Sequence, residues 1–333
     1  MSRFGEFSGK ATISRLALAS VVGNVLIVGT GGAVRLTKSG LGCPTWPRCT
    51  EESYTTTPEM GLHGVIEFGN RLLTFALAAI VIAGVVAAWR QRPRRRSLRL
   101  LSVVAAFGIP AQAMIGGLTV LTNLNPWVVG LHFLASMAVI AAAYAFWRRT
   151  LEPDGPARPT VPGPLRTLAW LTAGATALVL VVGTWVTGSG PHSGDSGAAR
   201  NGLDPETVSQ VHADVVFLLL GLSVALWFAL RAVSAPAAAR RAAGLLLLAE
   251  LGQGLIGFVQ YFTGLPVVLV GAHMLGSCLV WLAALAVLWG TRTRTAGPAV
   301  DAGSPRPPAA APPGPERTPA SADSPLVSTT PGS

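Results

Sequence analysis

The residues able to do chemistry sit in unusual places. Of five histidines, four (His63, His132, His212 and His273) stand near the start of a long apolar run. Neutral imidazole is a ligand for iron, copper or zinc. One run opens as HGVIEFGNRLL and adds Glu67, Asn70 and Arg71 to His63. Glu67 and Arg71 lie four apart, so they share a helix face, and His63, four before Glu67, joins it. Asn70 lies nearly two turns beyond His63, an axial gap of about 10 Å, on the same side. Ionisable groups in an apolar span are costly and turn toward the bundle interior. The plainer reading of Glu67 and Arg71 is an ion pair that locks two helices.

These side chains need a membrane scaffold. Half of the 333 residues are hydrophobic and 12% are charged, against about 25% charged in soluble domains. Eight apolar runs, about 13–34, 63–89, 99–121, 127–147, 167–188, 209–230, 242–263 and 267–290, are each long enough to cross a bilayer. They are too long for barrel strands, so the expectation is an all-α integral membrane protein. The net charge of +10 does not point to nucleic acid, because 20 of the 25 basic residues fall on one side if the chain starts there. Positive loops stay in the cytoplasm. The prediction is a multi-pass protein of the plasma membrane, its partner the lipid, with both termini cytoplasmic and the first run retained as a helix. The expected parts are a cytoplasmic arm at 1–12, a four-helix bundle at 13–147, a cytoplasmic linker at 148–166, a second bundle at 167–290 and a disordered tail at 291–333.

The halves repeat. Gln112, Gly116, Gly130 and His132 match Gln253, Gly257, Gly271 and His273 at an offset of 141, and Asn70 matches His212 at 142. Four helices separate the copies, so both have one orientation, which predicts two pseudo-symmetric four-helix bundles about an axis along the membrane normal. Parallel repeats also occur in transporters. In the second half, His212 and His273 at one depth can hold a haem iron from both faces. The first half has His132, but Asn70 stands where the repeat predicts a histidine. That half also carries Glu67, and weaker ligation beside a carboxylate suits turnover better than cofactor storage. Gly29, Gly31 and Gly32 allow close helix approach. Cys43 and Cys49 share an outer loop where thiols tend to oxidise; a disulfide and two independent thiols both remain open. Cys278 reads as a small buried residue.

The segments GLGCPTWPRC, VIEFGNRLLT, GGLTVLTNLNPWVVGLH, VTGSGPHSGD, VSQVH and GLPVVLVGAH resemble the haem A synthase family across residues 15–290. The resemblance implies oxidation of a methyl group of haem O to the formyl group of haem A, by successive hydroxylations, for terminal oxidases. It implies a haem b cofactor held by His212 and His273, and a substrate haem in the N-terminal half near His132, Asn70, Arg71 and His63. Glu67 matches the family's essential carboxylate, and Cys43 with Cys49 a loop cysteine pair of some members. A haem O synthase prenyltransferase is the protein partner this reaction suggests. The departure is Asn70, where the family motif carries histidine; either His63 replaces it, or the substrate iron has one protein ligand, with His63 then free to meet a propionate. The competing readings are a di-haem b-type, quinol-linked electron-transfer protein and, behind it, a transporter.

Overall fold

The computed structural model describes residues 3–295, with side chains from residue 11. Among these residues, eight helices are long and apolar enough to cross a membrane: α1 Arg3–Leu36, α2 Gly61–Arg90, α3 Arg96–Leu121, α4 Pro126–Thr150, α5 Gly163–Ser189, α6 Pro205–Ala232, α7 Ala237–Phe262 and α8 Val267–Gly290. Local sequence sets the ends. Asn125 and Asp204 cap α4 and α6 by accepting the Trp127 and Thr207 amides, each followed by a proline at the first helical position, where a missing N–H costs nothing. The reversals from α3 to α4 and from α7 to α8 repeat each other. Leu124 and Leu265 have positive φ, and their amides return to the Thr119 and Gln260 carbonyls at 2.8 and 2.7 Å.

Helices α1 to α4 form a closed ring of neighbours, α5 to α8 form a second, and the rings meet through α1, α4, α5 and α8. The seam is filled by Val28, Met137, Ile140, Leu180 and Cys278, one or two from each of these helices, and Trp281 donates to the Met137 carbonyl at 2.9 Å. Gly29 and Gly32 lie at this seam, where Leu275 and Met274 of α8 approach them. The outward faces expose Phe75, Phe107, Phe262 and Val268. These are the side chains a bilayer would cover, so the apolar exterior and the modest buried core belong to one design.

Two expectations are corrected at the arginine-rich face. Residues 3–12, expected as an arm, continue α1 as helix. The first residues of the expected disordered tail are ordered: Arg292–Arg294 pairs antiparallel with Ala157–Pro159 of the linker. The rest of that tail, from 296, lies outside the described residues. The cause is an acidic anchor in the linker. Glu152 lies 3.2 and 3.6 Å from Arg294 and Arg292 and accepts from the Trp289 indole at 2.6 Å. Arg95 and Arg149, two of the basic residues counted on this side of the membrane, are buried; both reach Asp154 and the Glu152 carbonyl.

Candidate functional site

Each even-numbered helix starts at the face opposite the arginines, here the loop face. His132, His212 and His273 are the seventh, eighth and seventh residues of their helices, so each lies roughly 10 Å from that end. In the C-terminal ring, His212 and His273 face one another from α6 and α8, with ring centroids 6.5 Å apart and planes inclined at 72°. A metal gripped by a nitrogen from each ring, at about 2 Å per bond, separates two imidazole centroids by about 6 Å. The pair therefore fits an iron between them. Among the described residues no three His, Cys, Asp or Glu side chains converge on a bare metal ion. The donor set suits a metal whose other ligands arrive with it, as a porphyrin supplies.

A glycine on the preceding helix makes room for each of these rings. An added Cβ would stand 3.2 Å from His132 at Gly116, 3.3 Å from His212 at Gly183 and 3.4 Å from His273 at Gly257. A methyl at Gly116 or Gly183 would crowd the imidazole by a few tenths of an ångström, one at Gly257 would just touch it, and larger side chains have less room still. The polar neighbours are few. Gln112 donates a long bond to the His132 carbonyl, and Nδ1 of His132 and of His212 is buried without a partner.

The N-terminal ring differs. Asn70 occupies the α2 position that the repeat pairs with His212. Its Oδ1 accepts from the Thr30 hydroxyl at 2.7 Å, and Gly31 lies beside its amide nitrogen. His63 does not approach this interior. It is exposed, the third residue of α2, and its Nδ1 shares a 2.9 Å hydrogen bond with Ser39. With Lys38, Pro44, Met60, Asp195 and Ser196 it lines a cleft of about 480 Å³ at the loop face.

Glu67 is buried, at 6% exposure, and both its oxygens are engaged. Oε2 accepts the Cys43 amide at 2.6 Å and Oε1 accepts Arg71 at 2.6 Å. Arg71 also donates to the carbonyls of Cys43, Thr45 and Arg48, each at 3.1 Å. Cys43 and Cys49 form a disulfide and both are fully buried. The ion pair thus clasps a disulfide-closed loop onto α2, where sequence reasoning had offered a helix–helix lock. Trp46, carried by that loop, lies on Gly117 of α3, where an added Cβ would overlap the indole. Thr30, Ser39 and the Trp46–Gly117 contact were missed in the sequence; only the recurrence of Gly116 and Gly257 beside their histidines in the repeat hinted at the glycine clearances.

The family model for COX15-CtaA, the cytochrome oxidase assembly proteins, matches residues 14–192, more than half of the chain. The chain belongs to this haem A synthase family. Proteins named heme A synthase are similar to it. That of Lysinibacillus sphaericus is 36% identical over 141 residues, covering 41% of this chain and 45% of the relative. That of Halalkalibacterium halodurans is 28% identical over 141 residues, covering 42% and 47%. That of Symbiobacterium thermophilum is 29% identical over 180 residues, covering 51% and 58%. The chain thus spans about half the length of the curated relatives it matches. The family's matched stretch contains α2 with Glu67 and Asn70 and α4 with His132, and it ends before His212 and His273.

Proposed function

We propose that the chain is a haem A synthase, an oxidoreductase that converts a methyl group of haem O to a formyl group by successive hydroxylations. The observation that carries this reading is the His212–His273 pair, spaced for one iron, beside a ring that offers its interior one histidine and a clasped carboxylate. A haem b between His212 and His273 would supply one-electron redox chemistry. The protein's own residues do the rest. Gly183 and Gly257 keep the two rings free to face each other. His132 holds the substrate in the N-terminal ring, with Asn70 and Arg71 on the opposing helix α2. Glu67, fixed by the Cys43 amide and Arg71, stands where a carboxylate can hold or relay a proton close to the substrate. His63 and Lys38 at the cleft suit the substrate's propionates, the one anionic edge of a haem.

On this reading the protein sits in the plasma membrane with its disulfide loop outside. The excess of arginines at one end and the disulfide at the other support that orientation. Haem O would then arrive through the lipid or from a haem O synthase prenyltransferase. The test is to extract and chromatograph haems from cells that make haem O but no haem A, with and without this gene. The expected result is haem A only with the gene, and its loss in Glu67→Gln with b-type haem retained. Bound haem with no haem A would return the reading to an electron-transfer protein.

A further inference from the structure

The five histidines of the chain all lie in the described residues, so their positions account for every imidazole available to iron. His212 and His273 face each other in the C-terminal ring. His192 lies in the loop between α5 and α6, with Nε2 on the Leu265 carbonyl at 2.9 Å. His63 is exposed at the start of α2 and is tied to Ser39; it sits about 10 Å along the helix from Asn70, toward the loop face. His132 alone remains for the interior of the N-terminal ring. The other donors nearby are already engaged: Glu67 by Cys43 and Arg71, and Met60 by the Thr56 hydroxyl. A neutral carboxamide is a poor iron ligand beside imidazole, and the Asn70 oxygen is held by Thr30.

We infer that the N-terminal ring binds its substrate iron through His132 alone, and that the opposite axial position is open and faced by the Thr30–Asn70 pair. This rests on the reading of that ring as the substrate site. An open axial position admits a small exogenous ligand, while two imidazoles close both faces. Thr30 fixes the carboxamide by its oxygen, which leaves the amide N–H groups of Asn70 as the polar groups offered to such a ligand. The chain therefore carries one ring built to hold a haem closed and one built to leave it open.

The test uses the full-length protein in detergent, with haem O added, carbon monoxide as the probe, and ferric electron paramagnetic resonance beside it. The expected result is a low-spin signal, indifferent to carbon monoxide, from the His212–His273 site. Added haem O should bring a high-spin ferric signal and a carbon monoxide adduct on reduction, both absent in His132→Ala. Asn70→His should turn the added signal low-spin and abolish the adduct, and His63→Gln, whatever it does to the amount of haem O bound, should leave the spin state and the adduct per bound haem unchanged. A low-spin, carbon monoxide-silent haem O in the natural protein, released by His63→Gln, would overturn the inference and leave the proposed function standing. Failure of haem O to bind, or binding undiminished in His132→Ala, would sink the substrate-site reading as well, and shows as missing or misplaced haem, not as a change of spin.

Discussion

The two rings use one helical plan for opposite ends. In the C-terminal ring, α6 and α8 each present an imidazole, the two rings lie 6.5 Å apart, and the loop above carries no disulfide. In the N-terminal ring, α4 presents His132, α2 presents Asn70 bound to Thr30, and a disulfide-closed loop is clasped to Glu67 and Arg71. The lesson is that a four-helix ring can be specialised by two local changes: which side chain stands at the interior position of α2 or α6, and what the loop above is tied to. Gly116 and Gly257, which make room for His132 and His273, stand at matching positions in the two rings, whereas Gly183 clears His212, which has no histidine counterpart in the N-terminal ring.

The sharpest way to break the comparison is to empty one ring at a time. His212→Ala or His273→Ala should remove essentially all low-spin haem from the purified protein, whereas His132→Ala should leave it intact, as read from the reduced-minus-oxidised spectrum. Equal losses from all three would mean that the rings do not divide the work.

The next contrast lies between the two buried glutamates. Glu67 has both oxygens paired, whereas Glu250, on α7 and also 6% exposed, accepts from Ser223 at 2.7 Å through one oxygen and has no partner on the other. Arg71→Ala strips a buried carboxylate of its cation and should cost about 3–5 kcal/mol. Glu250→Gln keeps the Ser223 acceptor and should cost under about 1 kcal/mol. Thermal unfolding in detergent reads both, and a reversed order would refute the clasp. A smaller effect follows from the loop itself: Cys43→Ser opens a short ring and should cost about 2 kcal/mol, shown by the same unfolding curve and by faster proteolysis between Gly42 and Ser53.

The smallest effects sharpen the account of the glycine clearances. Gly116→Ala should cost about 1 kcal/mol, because its Cβ meets His132 closely, whereas Gly257→Ala, whose Cβ makes ordinary contact with His273, should be close to neutral. Gly69→Ala, beside Asn70 but with open space around it, should be neutral or slightly stabilising. A Gly69→Ala variant as damaging as Gly116→Ala would show that the clearances are not specific to the histidines.

The eight spans were legible because bilayer thickness dictates a run of apolar residues, and the observed helices exceed the expected runs by only a few residues at most ends. The inward histidines could be read because polar groups in a span have nowhere else to turn. The clasp was not legible. Glu67 is met by the amide of Cys43, and Arg71 by three carbonyls; backbone groups leave no trace in residue types. The burial of Arg95 and Arg149 was missed because charge counting assigns arginines to a side of the membrane and not to a partner. The ordering of 292–294 depends on Glu152, more than a hundred residues away, and no local pattern announces it.

The loop clasp also sets an order of assembly. Glu67 and Arg71 belong to the second span made during synthesis, and everything that satisfies them, Cys43, Thr45 and Arg48, lies in the segment just before it. The first hairpin can thus hide its own charges before α3 emerges from the ribosome, without waiting for any later helix. The first reversal of the chain thus brings its own neutralising partners, the backbone groups of residues 43–48, to the charges of the second span.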